Sequence, residues 1–352
     1  MPNQRLRILS VAYPFAPVRT DSVGGAEQIL RRLDAALVGN AHSSLVIASA
    51  GSKVRGDLIE IPIVGDEITP AARQETYAHL RELVAEAVKQ FNPHVVHMHG
   101  VDFYQYLPAD DHRPVLISLH LPVSYYPSWI FQPCRQETYL MGVSRTQHRT
   151  CPQSDHLLPP IANGVPVLFD RPGPKSDYTV CLSRIAPEKN IHTALEAARQ
   201  AGISCLLAGK VFGYPEHQDY FTRKVQPLLD QSRRFIGALD EPQKWELLAR
   251  ARCLLQPSLA EETSSLVAME ALASGTPVVA MACGALPQIV EEGKTGFLVR
   301  STTEMAEAIC RVQWLDPQDC LTAARERFSL ERMTHEYLKV YRKLAGIDST
   351  CR

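Results

Sequence analysis

The stretch CLLQPSLAEETSSLVAMEALASGTPVVAM, residues 253–281, reads as strand, loop, helix and strand. Residues 253–257 and 277–281 are apolar except for Gln256, which is typical of short strands buried on both faces of a parallel sheet. Between them, the Thr-Ser-Ser run at 263–265 stands where a helix N-cap belongs, and Gly275 follows the last helical residue. The stretch therefore predicts a βαβ unit, the building block of α/β proteins.

The same alternation of strands and helices runs through the rest of the chain. Further β-branched or apolar runs predict strands at 6–13, 43–49, 94–99, 114–120, 178–183 and 203–208, and amphipathic runs predict helices at 25–39 and 71–91. The pattern restarts after residues 170–178, which are rich in proline and charge. We therefore expect two doubly wound α/β domains, 1–172 and 173–328, that face each other across a cleft.

The last segment, residues 329–352, stands apart from this alternation. It begins with an amphipathic helix that has Ser329 as a plausible N-cap and one apolar stripe, formed by Leu330, Met333, Tyr337, Tyr341 and Leu344. Its residues alone would let this helix pack on either domain; we expect it to pack back on the N-terminal one.

Bulk composition excludes several classes of protein. A chain of 352 residues is longer than one core usually serves, and its net charge of −1 does not favour nucleic acid or an anionic membrane as a partner. No apolar stretch of about 18 residues is present, so we expect no membrane span. Nine cysteines without a Cys-x-x-Cys pair, and no visible secretory signal, favour a reducing cytoplasm.

Two features stand at predicted strand ends in the first half. Gly24 and Gly25 precede a helix whose amino terminus would favour an anion; the alternative is a tight turn that binds nothing. His97 and His99 share one face of a strand end, and His120 ends the next strand. Neutral imidazoles in a polar cleft are the first interpretation, and a structural role for His97 follows closely. A three-histidine zinc site, which His120 would complete, ranks behind the cleft by a wide margin.

In the second half, Arg184 and Lys189 lie in a predicted strand-to-helix loop. A guanidinium and an ammonium at the carboxyl end of a strand fit phosphate oxygens, although two surface cations that serve solubility would look the same.

Glu262 and Glu270, the two acids near the helix in residues 253–281, cannot form the pair of catalytic carboxylates that many glycoside hydrolases use. If both were helical, Glu262 and Glu270 would lie about 12 Å apart along the axis and about 80° apart around it. We therefore place Glu262 in the loop and Glu270 on the helix, where it would accept hydrogen bonds from a hydroxylated ligand such as a ribose. A solvated helix face is the alternative for Glu270, but its neighbours are apolar nearly all round.

With these features in place, almost the whole sequence resembles the retaining glycosyltransferases of family four, which have the GT-B fold. The resemblance rests on ordered segments: GGAEQ (24–28), VVHMHG (95–100), SLHLP (118–122), IANGVP (161–166), LSRIAPEKNI (182–191), RFIGALDE (234–241), the Glu-x7-Glu region (257–299) and the terminal helix segment (328–344).

The resemblance implies a role for each matching residue. The donor diphosphate would be neutralised by Arg184 and Lys189. Its distal phosphate would meet the amides of Leu266 and Val267 and approach the N-terminal glycine loop, Gly24 and Gly25.

The remaining roles concern the sugars. Glu270 would hold the ribose hydroxyls and Glu262 would lie beside the donor sugar. His120 would contact that sugar near the reacting carbon, and His99 would face the acceptor. The catalytic set implied is thus His120, Glu262, Lys189 and Arg184.

The activity implied is transfer of a sugar from a nucleoside-diphosphate sugar, UDP- or GDP-linked, to an acceptor hydroxyl on a glycan, a lipid-linked compound or a natural product. With Arg184 and Lys189 at the diphosphate, a divalent metal is not required, and consistently the sequence has no Asp-x-Asp. We therefore expect metal-independent chemistry with no further cofactor. No carboxylate nucleophile is obvious, so we expect retention by same-face attack. A non-catalytic nucleotide-sugar-binding protein and a GT-B sugar-nucleotide epimerase are the alternatives. Where the family usually has Gly-Phe-Gly, this chain has Thr263-Ser264-Ser265, which leaves the donor sugar open.

One aromatic stretch, residues 121–140, lies outside these motifs. We expect it to be a loop packed over the N-terminal domain, with a sugar-stacking or lipid-facing lip as the alternative. The mixed charge of the helix at 71–91 gives no support for a membrane surface.

Overall fold

The computed structural model describes residues 4–22, 24–62 and 68–347. Contacts between Cα atoms divide the chain into two compact units. The first takes the residues up to Ala162 and those from Met333 on, and the second takes Asn163–Arg332. The division after Ala162 lies ahead of the sequence-predicted boundary after residue 172.

The described part of the first unit forms a seven-stranded sheet with the order β3-β2-β1-β4-β5-β6-β7, parallel throughout. Its strands are β1 (Arg7–Val11), β2 (Ser43–Ser49), β3 (Asp57–Ile61), β4 (Val95–Met98), β5 (Val115–Leu119), β6 (Thr138–Gly142) and β7 (Leu157–Leu158). Its connecting helices are α1 (Gly25–Gly39), α2 (Pro70–Phe91) and α3 (Arg145–Thr150).

The second unit repeats the plan with six described parallel strands in the order β10-β9-β8-β11-β12-β13. They are β8 (Tyr178–Leu182), β9 (Ser204–Ala208), β10 (Arg233–Gly237), β11 (Cys253–Gln256), β12 (Val278–Met281) and β13 (Gly296–Val299). The helices are α4 (Ile191–Ala201), α5 (Pro215–Tyr220), α6 (Glu241–Arg250), α7 (Leu266–Ala273), α8 (Leu286–Ile289), α9 (Thr302–Arg311) and α10 (Pro317–Phe328).

These two sheets confirm the predicted pair of doubly wound α/β domains. Each sheet is covered on its faces by helices, and described buried residues on those faces pack into apolar clusters. The opening stretch folds as predicted, because β11, α7 and β12 follow one another within it. Among the described helices, none is both long enough and apolar enough to cross a bilayer.

The last helix, α11 (Leu330–Leu344), begins in the second unit and continues into the first. Ser329 caps it by accepting a hydrogen bond from the amide of Arg332 at 3.3 Å. Its buried side chains include three of the predicted stripe, Met333, Tyr337 and Tyr341. The hydroxyl groups of the two tyrosines form hydrogen bonds with side chains of the first sheet.

The strand order places a topological switch point in each unit. In the first it lies between β1 and β4, and in the second between β8 and β11. Chain connections leave such neighbouring strands in opposite directions, which opens a crevice at their carboxyl ends where α/β proteins bind ligands. The loops that follow these four strands are therefore the places to look for a site.

Candidate active site

In the second unit, the loops after β8 and β11 are joined by direct hydrogen bonds. The side-chain amide of Asn190 donates to the carbonyl of Pro257 at 3.1 Å, and the amide of Leu259 donates to the carbonyl of Glu188 at 3.1 Å. Asn190 has a left-handed backbone, with φ of 52°, which ends one loop and starts α4 immediately afterwards. The two loops at the switch point thus form one fixed surface.

Lys189 and Glu262 form an ion pair across this surface. Lys189 Nζ donates to Glu262 Oε1, and the two side chains are only 16% and 14% exposed. The sequence separates these residues by more than two helices and two strands, yet the fold brings the expected diphosphate cation and the expected sugar carboxylate into contact. An ammonium at this position is available to an anion that can displace the carboxylate.

A third loop, which follows β12, packs against the backbone of Glu262. Gly284 has φ of +55°, and a Cβ there would collide with the backbone nitrogen and oxygen of Glu262. The neighbouring amide of Ala285 donates to the carbonyl of Glu262 at 2.7 Å. Glycine is required here because both the left-handed backbone and the close approach exclude a side chain.

Arg184 lies in the same loop as Lys189 but has a different partner. Its guanidinium contacts Glu188 Oε1 at 3.2 Å, and both side chains are about two-fifths exposed, at 40% and 43%. Exposed pairs of this kind contribute little to stability, so the guanidinium can turn to an incoming anion at small cost.

The amino end of α7 presents polar groups that the protein itself does not satisfy. Ser265 is the N-cap of α7, but within the described chain its side chain makes no capping hydrogen bond to the first turn, where the amides of Leu266 and Val267 lie. Unpartnered buried oxygens in the preceding segment, counted among described residues, are Gln256 Oε1, Ser258 Oγ and Ser264 Oγ. Unpartnered hydroxyl groups near a helix amino terminus fit a ligand rich in oxygen.

Glu270 lies in α7, beyond this amino end, and is buried. The residue is 2% exposed, so the alternative of a solvated helix face is wrong. Its Oε1 accepts a hydrogen bond from Lys244 Nζ at 2.8 Å. Sequence reasoning missed Lys244, which lies on α6; a lysine on an amphipathic helix gives no local signal of this contact.

In the first unit, His97 has a structural role. Its Nδ1 lies 2.7 Å from Tyr341 Oη of α11, and its Nε2 lies 2.8 Å from Ser118 Oγ. Ser118 in turn lies 3.1 Å from Tyr337 Oη. Both ring nitrogens are thus used inside the fold. No group of three metal-ligating side chains occurs in the described parts of the chain, so the three-histidine arrangement is not formed.

His99 and His120 form a hydrogen-bonded pair beside His97. His99 Nδ1 lies 3.1 Å from His120 Nε2, and the two rings stack with centroids 5.3 Å apart. Burial lowers the pKa of His99 well below its usual value and that of His120 to about 4, so both imidazoles are neutral at pH 7. His99 Nε2 is buried and has no hydrogen-bond partner within the described structure. The pair therefore offers neutral ring nitrogens, not cations, at the ends of β4 and β5.

The glycine loop of the first unit begins α1 as predicted, with Gly24 as N-cap and Gly25 as first residue. The carboxyl group of Glu27 covers Gly24, because a Cβ on Gly24 would collide with Glu27 Oε2. Glu27 is 8% exposed, and burial raises the pKa of its carboxyl group. An acid that resides at a helix amino terminus is stabilised by the helix dipole.

A buried acid that the sequence analysis did not single out follows β4. Asp102 accepts hydrogen bonds from Tyr77 Oη at 2.5 Å and from Tyr106 Oη at 2.7 Å. Gly100 leaves space for this contact, since a Cβ there would collide with Tyr106 Oη. The aspartate therefore fixes the loop that carries His99.

The aromatic stretch after β5 divides between packing and exposure. Ile130 and Phe131 are buried, as expected of a loop packed over the first unit. Tyr125 and Trp129 are exposed, at 66% and 57%, and the Trp129 ring meets Tyr104 edge-on at 5.2 Å between centroids.

Comparison with known proteins identifies the second unit. Residues 170–320 match the model of the family described as glycosyl transferases group 1. The second unit belongs to the group 1 glycosyl transferases. The chain is also 30% identical over 197 residues to a glycogen synthase of Mycobacterium tuberculosis, an alignment that covers 50% of this chain and 44% of the relative. The chain thus spans less than half the length of that relative.

Solved structures extend the likeness from the group 1 unit to the whole fold. Sucrose-phosphate synthase from Thermosynechococcus elongatus has a TM-score of 0.77 at 19% identity, covering 97% of this chain and 99% of that one. HepE of Anabaena, solved in complex with UDP-glucose, has a TM-score of 0.72 at 17% identity, covering 96% and 100%. Identities this low establish the fold, which is GT-B.

Proposed function

We propose that the protein is a retaining glycosyltransferase that moves a sugar from a nucleoside-diphosphate sugar to an acceptor hydroxyl. One observation carries the proposal: the switch point of the group 1 unit brings Lys189, Glu262 and the uncapped amino end of α7 to one surface, and Glu270 follows in the same helix. A cation, open amides and a buried carboxylate match, in kind, a diphosphate and a ribose.

The chemistry follows from where charge develops. Breaking the bond between the anomeric carbon and the diphosphate oxygen leaves negative charge on the diphosphate and positive charge on the sugar. We assign Lys189, Arg184 and the amides of Leu266 and Val267 to the diphosphate, because fixed positive groups stabilise that charge without reorganisation. With two protein cations in this role, a divalent metal is not needed for charge neutralisation.

Retention requires the acceptor oxygen to bond to the anomeric carbon on the face that the diphosphate leaves. We propose that this happens in a single step, in which the departing phosphate oxygen takes the acceptor's proton and no protein carboxylate forms a bond to the sugar. We assign Glu262 to the donor sugar, His120 to the region of the reacting carbon and His99 to the acceptor. We keep Gly24 and Gly25 as proposed contacts of the distal phosphate.

UDP is the first donor nucleotide to test, because HepE was solved with UDP-glucose and has the same fold. GDP is the second. We propose a glycan, a lipid-linked compound or a natural product as the acceptor. The cysteines of the described chain are all free, which supports a cytoplasmic location.

The test is a panel of UDP- and GDP-sugars incubated with the protein and analysed by mass spectrometry for transfer and for slow hydrolysis. We expect one donor to be consumed, in the presence of EDTA as well, and the released sugar or product to keep the anomeric configuration. Donor binding without any transfer or hydrolysis would favour the non-catalytic binding protein, and an inverted product would refute retention.

Lys189→Ala is the decisive variant and should nearly abolish donor consumption. Lys294→Ala is its matched control, because Lys294 precedes β13 and so lies at the opposite, amino edge of the same sheet. Full activity in Lys189→Ala would refute the diphosphate assignment.

A further inference from the structure

The buried contact between Lys244 and Glu270 joins two helices of the group 1 unit. Lys244 Nζ lies 2.8 Å from Glu270 Oε1, with the side chains 16% and 3% exposed. Lys244 also lies over the ring of its neighbour Trp245, 5.5 Å from the centroid. Both contacts hold the ammonium in place.

The helix that carries Lys244 is itself well fixed. Asp240 caps α6 in a reciprocal capping box, in which its side chain accepts from the amide of Gln243 and the Gln243 side chain accepts from the amide of Asp240. Trp245, next to Lys244, is buried against the core. The packing and capping of α6 therefore fix the position of the Lys244 ammonium.

Glu270 needs such a partner because its surroundings are apolar. Its helix neighbours Ala268, Met269, Ala271, Leu272 and Ala273 are all buried. A carboxylate in such a place is costly unless an opposite charge and hydrogen bonds compensate it. An ammonium that donates to one oxygen leaves acceptor capacity, since an ionised carboxylate offers about four lone-pair sites.

We propose that Lys244 is a positioning residue of the donor site: it fixes the Glu270 carboxylate so that this group accepts hydrogen bonds from the vicinal hydroxyls of a ribose. The ligand class is a ribonucleoside diphosphate. The Glu270 carboxylate would distinguish it from a deoxynucleotide, which lacks a ribose hydroxyl to donate. This inference rests on the proposed function, in which Glu270 binds the ribose.

A purely structural ion pair behaves differently from a positioning one. If Lys244 only stabilised the packing of α6 on α7, its loss would weaken every nucleotide equally. If it positions Glu270 for the hydroxyls, its loss weakens only ligands that carry them, because a site built to pair with a hydroxyl rejects the analogue that lacks it.

The experiment compares UDP with 2′,3′-dideoxyuridine diphosphate by titration calorimetry, using the wild-type protein, Lys244→Met and Lys244→Arg. We expect the wild-type protein to prefer UDP by at least about tenfold, since each lost hydrogen bond to a charged group is worth that much. In Lys244→Met the preference should fall to within about threefold of unity through weaker UDP binding, and Lys244→Arg should restore part of it. Lys294→Met is the control and should keep the wild-type preference.

The outcomes separate this inference from the proposed function. An unchanged preference in Lys244→Met, or equal weakening of both ligands, overturns the role of Lys244 and leaves the proposed function standing. If the wild-type protein binds UDP without a preference for the ribose, the assignment of Glu270 is wrong and the role of Lys244 falls with it. If it binds neither UDP nor GDP, the proposed function itself fails. Should Lys244→Met not fold, the ratio of the two dissociation constants, for UDP and for the dideoxy analogue, can be measured with Lys244→Gln and Lys244→Arg.

Discussion

Replacing Glu262 by glutamine should tighten the binding of a nucleoside diphosphate. Glu262 forms an ion pair with the ammonium of Lys189 that we assign to the diphosphate. The substitution keeps the size and the hydrogen-bonding oxygen of the side chain and removes its charge. Lys189 is then released to the phosphate, and the phosphate no longer approaches a carboxylate.

The size of the effect follows from the contact. A phosphate oxygen and a carboxylate oxygen that both touch Lys189 Nζ are separated by roughly 4 Å. Two like unit charges at about 4 Å repel by about 1 kcal/mol in bulk water and about 4 kcal/mol at an effective dielectric constant of about 20. Because the two side chains are 16% and 14% exposed, the true value lies between these limits. The lower limit alone tightens UDP binding about fivefold.

The assay is calorimetric titration of UDP into the wild-type protein, Glu262→Gln and Glu261→Gln. Glu261 is the adjacent acid and is exposed, so its substitution changes the net charge equally without touching the pair. We expect at least about a fivefold lower Kd for Glu262→Gln and less than about a twofold change for Glu261→Gln. An unchanged or higher Kd for Glu262→Gln refutes the idea that Lys189 exchanges its partner. Transfer should fall in the same variant, because Glu262 is assigned to the donor sugar.

Three further predictions concern stability. Gly284→Ala should lower the thermal midpoint more than Gly293→Ala; both positions have a positive φ, but a Cβ at Gly293 meets only open space among the described residues, so equal losses would contradict a clash with Glu262. Tyr341→Phe should cost about 1–2 kcal/mol in urea unfolding, because it leaves buried His97 Nδ1 unpaired; a loss below about 0.5 kcal/mol would contradict this. Burial lowers the pKa of His120 to about 4, against an unfolded value of about 6.5, so the unfolded chain binds more protons between these pH values. Stability should therefore fall as pH drops from 6.5 to 4, by up to about 3 kcal/mol, and His120→Asn should reduce that slope; identical slopes would count against a buried neutral His120.

The alternation of short apolar runs with amphipathic ones predicted four strands of each sheet, because strands buried on both faces differ in composition from everything around them. Strands β3, β6, β7, β10 and β13 were not among the predicted runs. The segment at 265–275 was equally clear, since hydroxyl residues begin α7 and Gly275 follows it. Strand β3 gave no such signal. It lies at the edge of its sheet and carries Asp57 and Glu60, charges that an edge strand tolerates because one side faces solvent.

The partners of the candidate site residues could not be predicted in the same way. Positions at strand ends follow from topology, which is why Lys189, Glu262 and His120 were recognised. Their contacts depend on which loops pack together over long sequence separations. Nothing near Lys244 in the sequence indicates that its ammonium contacts Glu270. Likewise, nothing near His97 indicates that its Nδ1 forms a hydrogen bond with Tyr341 of α11.

Glu262 and Glu270 each form an ion pair with a lysine from another part of the fold, but a bound ligand should affect the two pairs differently. At Lys189 the proposed ligand is a diphosphate, which competes with the Glu262 carboxylate for the ammonium, so that pair has to open. At Glu270 the proposed ligand is a neutral ribose, which donates to the carboxylate and does not compete for Lys244, so that pair can persist in the complex. Removing the charge of Glu262 should therefore strengthen nucleotide binding, whereas removing the charge of Glu270 should weaken it, although both acids belong to one strand-end segment.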